Sequence, residues 1–443
     1  MDLLEKVKEA GVIGAGGAGF PTHVKLQAQA DFVLINGAEC EPLLRVDQQL
    51  MEFHPADVIK GLKIGKDLTG AKRAIIGIKG HHKKVIEILK ETIKELNLEG
   101  DIEVGILPDV YPAGDEMVLV KELTGRIVPE GGIPLAVGCV VMNAESAFNV
   151  YHASLDEHVT MKYLTVTGDV PHPITVKVPI GTPIKDVIAL AGRTDFTGCR
   201  VINGGPMMGM LFTNLDGYVT KKTKGIIVLP DDHVLIKKKT RMANDAIRLN
   251  KTACEQCRMC TDLCPRHLLG HATIPHKMVR GVAYNVPADE SMTAAYTCCQ
   301  CSLCEYFSCP AGISPKLANV YYMTKLREKG IKHTPTKEVF TANPMRPYRM
   351  IPVTRLIARI GLAKYDVAAP LDEAPAIDVP VVGIGLRDHV GAPAVPVVSV
   401  GDKVEAGQKI GEIKEGALGA TVSSSVSGTV QSVESDIIVI RRD

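Results

Sequence analysis

Tryptophan is absent from the 443 residues, and aromatic residues of all kinds make up only 4%. So sparse a set offers no platform on which nucleic-acid bases could stack. Charge of one sign is also lacking. The 51 Lys and Arg against 50 Asp and Glu leave +1, and no field of that size attracts a polyanion. Long apolar runs are missing too. The longest uncharged, strongly apolar stretch, Gly131 to Ala144, has 14 residues and contains Pro134. A bilayer span needs about 20. No signal-peptide pattern opens the chain, because Asp2, Glu5 and Lys6 already belong to an amphipathic helical pattern. These absences predict a soluble, cytoplasmic chain without nucleic-acid partners or a membrane span. The length predicts several domains.

Cysteine, by contrast, is plentiful at twelve residues. In a reducing compartment that points to metal rather than disulfides. The pattern is Cys254-x2-Cys257-x2-Cys260-x3-Cys264-Pro265, then Cys298-x2-Cys301-x2-Cys304-x4-Cys309-Pro310. The first run has the spacing of bacterial two-cluster ferredoxins, in which the fourth cysteine ligates the other cluster. This assigns Cys254, Cys257, Cys260 and Cys309 to one [4Fe–4S] cluster, and Cys298, Cys301, Cys304 and Cys264 to a second. Zinc would instead use paired CxxC units. The second run departs by one residue before its last cysteine, and Cys299 adds a neighbouring thiol. His267, His271 and His276 flank the runs, either as solvated side chains or as hydrogen-bond partners of cluster sulfur.

Upstream, strand and helix patterns alternate: Phe32 to Asn36, Ala56 to Leu68, Ala74 to Ile78, Lys84 to Leu96, and Ile102 to Leu107. Alternation predicts a parallel sheet, with ligands at the carboxyl ends of its strands. A glycine-rich loop, Gly14-Ala15-Gly16-Gly17-Ala18-Gly19-Phe20-Pro21-Thr22, precedes them. Such a loop lets backbone N–H groups approach a phosphate or a flat ring. Polar loops Asn36 to Pro42 and Asp109 to Glu116 follow two of the strands. Cys139 and Cys199 read as small buried hydrophobes.

The glycine loop with Lys25, the loop Asn36-Gly37-Ala38-Glu39-Cys40-Glu41-Pro42, the loop Tyr111-Pro112-Ala113-Gly114-Asp115-Glu116 and Asn143-Ala144-Glu145-Ser146 resemble one known domain. It is the FMN- and NADH-binding domain of the complex I flavoprotein subunit and, more closely, of RnfC subunits. The resemblance implies a Rossmann-like FMN domain. In it Gly14, Gly16, Gly17, Gly19, Lys25, Asn36 and Asn143 hold FMN. Glu39, Glu41, Asp115 and Glu116 lie near the flavin or NADH, and Phe20, Tyr111 and Gly114 complete the set. The family's Asp is Ala38 here, and Cys40 replaces its Ser. No side chain is expected to act as a general acid or base. The four acids also fit ordinary solvated loop positions.

Residues 160–236 carry a β-grasp pattern: strands near Tyr163 to Val170, Ile174 to Val178, Val201-Ile202 and Ile226 to Leu229, with a helix over Pro183 to Ala191. It resembles the soluble-ligand-binding β-grasp (SLBB) module, read as a ligand surface or as a packing spacer. Residues 376–443 form two short-strand halves that resemble a barrel-sandwich hybrid. The apex Glu415-Gly416-Ala417-Leu418-Gly419 has no lysine to lipoylate or biotinylate. The expected fold is therefore multidomain α/β, divided as 1–158 (FMN/NADH), 160–236 (β-grasp), 240–330 (helical, two-[4Fe–4S] ferredoxin-like), 331–375 (a partly extended linker or partner-docking segment) and 376–443 (hybrid).

In RnfC subunits the hybrid module stands ahead of the flavin domain. A C-terminal copy resembles the PduS-type cobalamin reductases of propanediol-utilisation microcompartments. That resemblance implies electron flow from NADH through FMN and two clusters to a corrinoid. It also implies partnership with an adenosyltransferase and microcompartment shell proteins. The alternative is an RnfC-like relay subunit without NADH activity of its own.

Overall fold

β-branched and aliphatic runs at Phe32–Gly37 (β1), Arg73–Lys79 (β2), Ile102–Leu107 (β3) and Cys139–Asn143 (β4) pair in parallel, in the order β3-β2-β1-β4. Parallel strands buried on both faces need no polar alternation, and β1 reads Phe-Val-Leu-Ile-Asn-Gly. The computed structural model describes residues 2–335 and 337–443. No helix among them is long and apolar enough to cross a membrane. Helices Leu3–Glu9 (α1), Pro55–Thr69 (α2), Lys83–Glu95 (α3), Glu116–Thr124 (α4) and Ala144–Ser154 (α5) cover the sheet. α2 begins on Pro55, where a missing N–H costs nothing, and stops at left-handed Gly70. It crosses α5 so closely that a Cβ on Gly61 would stand 1.8 Å from the carbonyl oxygen of Ala147. The helices foreseen over 56–68 and 84–96 lie within a residue of those observed.

The β-grasp unit is a mixed sheet built on Met161–Gly168 (β5), Ile174–Pro179 (β6), Cys199–Asn203 (β7) and Gly225–Pro230 (β8). β8 runs parallel to β5 and antiparallel to β7, and the helix Ile184–Leu190 buries Ile184, Val187 and Ile188 against it. Cys139 is buried as foreseen, whereas Cys199 is half-buried.

Three helices, Ala243–Ala253 (α6), Pro275–Ala283 (α7) and Pro315–Glu328 (α8), frame the cysteine runs. Their core contains Met278, Val279, Tyr322 and Leu326. The hybrid module is two small antiparallel sheets around Val382, Ile384, Ile410, Val430 and Ile440.

The segment foreseen as a partly extended linker, 331–375, is a folded strap over much of its length. Ile351–Pro352 pairs with Val110–Tyr111, and Leu371–Asp372 adds to the edge of β6. Between them Leu356, Ile357, Ile360, Leu362 and Tyr365 enter one core with Leu43, Leu44, Tyr111, Ile202, Met207, Cys301 and Tyr306. The apolar spacing 356, 357, 360 is helical, but basic residues and prolines around it mask the signal in sequence. Each such aliphatic side chain contributes about 1.5–3 kcal/mol on burial, which outweighs local composition. The loops after β1 and β3, the β-grasp loop, the second cysteine run and the strap thus share one core.

Candidate functional site

The glycine loop closes on itself: Gly14 N–H donates to Phe20 O at 2.9 Å and Gly19 N–H to Gly14 O at 3.1 Å. Gly17 (φ +108°) and Gly19 (φ +69°) take conformations that a side chain resists. The tip, Gly16 to Ala18, is exposed, and a Cβ on Gly17 would meet nothing within 4 Å. The base is fixed to the start of α5, where Ser146 Oγ accepts from Ala15 N–H at 2.9 Å and donates to Ile13 O at 3.1 Å. Lys25 stands beside the loop; its Nζ donates to Val141 O at 3.1 Å and lies 3.5 Å from Glu116. This bare, backbone-lined shelf with an adjacent ammonium fits a flat ring carrying a phosphate.

The loops after β1 and β3 are locked together. Asn36 Nδ2 donates to Gly114 O at 2.8 Å, and Gly114 N–H donates to Cys40 Sγ. A Cβ on Gly114 would stand 2.8 Å from Asn36 Oδ1 and 3.0 Å from Cys40 Sγ, so the position demands glycine. Ala38 is buried beneath.

All four acids expected near the nucleotide have protein partners. Glu39 accepts from the N–H groups of Asp47 and Gln48 and faces Lys224 Nζ at 3.2 Å. Glu41 accepts from Met207 and Met208 N–H at 2.8 and 3.0 Å. Burial pushes the carboxyl groups of both above the usual range. Asp115 caps α4 through Met117 and Val118 N–H and pairs with Arg266 Nη2 at 2.8 Å. Only Glu116 remains half-exposed, facing Lys25. Asn143 caps α5, and its Nδ2 donates to Asp47 at 2.9 Å.

Cys254, Cys257, Cys260 and Cys309 line one cavity of about 310 Å³. That volume is far larger than a single ion needs and suits a cluster. Burial and the neighbouring Cys309, Cys254 and Cys257 push the Cys260 thiol up to about 12. Such crowded thiols ionise together only when a metal shares their charge. Cys264, Cys301 and Cys304 are buried and Cys298 half-buried. Burial first, then the charges of Cys298 and Cys264, raise Cys304, so these three also crowd one another. Cys299 lies in the same group, hydrogen-bonded to Cys301 and lowered by it. Both runs curl by the same device. Gln256 and Arg258 in the first, and Gln300 and Ser302 in the second, are left-handed at φ between 55° and 65°.

The loop after β3 touches the second run directly. Tyr111 Oη, buried, donates to Cys301 O at 2.8 Å. Arg266, which follows Cys264-Pro265, reaches Asp115 and Met117. Of the flanking histidines only His271 is buried, while His267 and His276 are partly exposed. His271 is buried on Val128 O at 2.9 Å, and His276 Nδ1 meets Thr261 Oγ1 at 2.8 Å. Arg266, Asp47 and Lys224 went unnoticed in the sequence. Arg266 had a signal, its place just after a Cys-Pro pair; the partners of the others lie far away along the chain.

Residues 7–152 match the Nuo51 FMN-binding domain, 163–211 the SLBB domain, 253–314 the 4Fe-4S dicluster domain, and 372–441 the RnfC barrel sandwich hybrid domain. A flavin domain and a dicluster domain on one chain define an electron-transfer oxidoreductase with FMN and [4Fe–4S] clusters as cofactors. Cobalamin reductase PduS of Salmonella typhimurium is 42% identical, over 100% of this chain and 96% of its own length. The PduS of Citrobacter freundii is 44% identical, over 99% and 96%. A component of the Na(+)-translocating ferredoxin:NAD(+) oxidoreductase complex of Acetobacterium woodii is 36% identical, over 60% of this chain and 58% of its own length. The chain belongs to the PduS family and is RnfC-like.

Proposed function

We propose that this protein takes electrons from NADH and delivers them singly to a corrinoid, the reduction that precedes cobalt adenosylation. FMN would rest on Gly14, Gly16, Gly17, Gly19 and Phe20, with Lys25 at its phosphate and Asn36, Tyr111, Gly114 and Asn143 around it. The clusters would be held by Cys254, Cys257, Cys260 and Cys309, and by Cys264, Cys298, Cys301 and Cys304. When bound, FMN exchanges electrons in pairs or singly and each cluster carries one. The chain's own work is positioning. The carrying observation is the bond from Tyr111 to Cys301 O, with Arg266 on Asp115, which ties the candidate flavin loop to a thiolate loop. An adenosyltransferase and microcompartment shell proteins remain proposed partners on the strength of the PduS relatives.

A second reading, a relay subunit without NADH activity, draws support from Ala38 and from Glu39, Glu41 and Asp115, which are engaged within the protein. Anaerobic titration decides. NADH is expected to bleach the flavin and then the clusters of the reconstituted chain, and to reduce added cobalamin; Lys25→Ala should weaken flavin retention. A flavin that dithionite reduces and NADH does not would overturn the first reading in favour of the second.

A further inference from the structure

The β-grasp module carries the run Lys221-Lys222-Thr223-Lys224 immediately before β8, and all three lysines reach the flavin domain. Lys221 Nζ, buried, donates to Gly11 O at 2.7 Å and to Thr421 O at 3.1 Å, joining α1 to the hybrid module. Lys222 lays its stem against the glycine loop, with Cδ 2.8 Å from where a Cβ on Gly19 would stand. Lys224 reaches deepest. Its Nζ pairs with Asp47 and lies 3.2 Å from Glu39. The two carboxylates are 3% and 4% exposed, and Lys224 itself 15%.

Asp47 is the pivot of this group. Both its oxygens accept from Asn143 Nδ2, at 2.9 and 3.0 Å. Asn143 in turn faces the glycine loop, 3.6 Å from where a Cβ on Gly16 would stand. Glu39 holds a left-handed φ of 38°, which a non-glycine residue keeps only when its surroundings fix it. A chain of contacts therefore runs from the β-grasp module through Lys224 and Asp47 to Asn143 and the loop. A branch of it pins Glu39. Two carboxylates this buried repel one another unless a cation stands between them, and Lys224 is that cation.

We propose that Lys224 is a positioning residue for the flavin cradle, so that the β-grasp module completes the FMN site rather than serving as a spacer or a receptor for a free ligand. This rests on reading Gly14 to Phe20 and Asn143 as the cradle. Without the ammonium, Asp47 and Glu39 separate, Asn143 loses its anchor, and the shelf loosens although no ligand atom has been removed.

The test uses the full chain, reconstituted anaerobically with iron, sulfide and FMN. FMN per chain and the FMN Kd, from flavin fluorescence, are compared for wild type, Lys224→Met and Lys224→Arg, with iron content as the control for folding. Lys224→Met is expected to bind FMN at least about tenfold more weakly while keeping its iron, with Lys224→Arg restoring most of the affinity, as one removed or kept buried charge pair implies. FMN affinity in Lys224→Met equal to wild type overturns the proposal. A wild type that takes up no FMN fails the underlying reading instead. If Lys224→Met also loses iron, Asp47→Asn/Lys224→Met removes one of the two stranded carboxylates, leaves Glu39 on the N–H groups of residues 47 and 48, and is expected to restore folding. Weak FMN binding there supports the proposal, and wild-type binding overturns it.

Discussion

The two cysteine runs are nearly the same object locally and opposite objects globally. Each places thiols two residues apart, each bends through a pair of left-handed non-glycine residues, and each precedes a Cys-Pro. Yet Cys257 of the first run is exposed on an open cavity, while Cys301 and Cys304 of the second are buried. The difference comes from what packs on the second run: Tyr111 and Arg266 from one side, Leu356, Ile357 and Ile360 of the strap from another. Local sequence therefore writes a ligand loop, and partners far along the chain decide whether it meets solvent.

That contrast can be broken first by iron removal. With about eight irons per reconstituted chain, a chelator is expected to extract iron in two phases. The faster phase, of about four atoms, should vanish in Cys257→Ser. A single phase of eight would show that burial does not distinguish the sites. Next in size is Arg266→Gln. Its guanidinium is 11% exposed and Asp115 is 9% exposed, so the change strands a carboxylate at a cost of about 3–5 kcal/mol by denaturant unfolding. Loss of a nearby cation should also lower the midpoint potential of one cluster only, followed by electron paramagnetic resonance. Equal shifts in both clusters would contradict the contact pattern. The smallest effect compares Gln256→Gly with Gln300→Gly. Relief of the left-handed φ, about 1–2 kcal/mol, is offset by the added freedom of glycine in the unfolded chain, about 0.5–1 kcal/mol. Both variants should change stability by no more than about 1.5 kcal/mol, with Gln256→Gly the less favourable because its Nε2 contacts Cys254 Sγ at 3.1 Å.

Much of this was legible in the sequence where the signal is short-range. The parallel sheet followed from alternating strand and helix patterns, and the helices over 56–68 and 84–96 from their apolar spacing. The strap was misread because proline and basic residues dominate its composition, while its apolar side chains find their partners only in three other parts of the chain. Likewise the acids of the two polar loops looked like nucleotide ligands. Glu39 meets a lysine 185 positions later, and Asp115 an arginine 151 positions later.

By itself the sequence determined the glycine-rich loop and the thiol spacing, because backbone freedom at glycine and the reach of neighbouring cysteines are local properties. Only the tertiary structure decided which thiols are shielded, which acids are already satisfied, and that Lys224 of the β-grasp module stands between two carboxylates of the flavin domain. Those outcomes depend on charges and apolar faces that come together only when distant segments pack.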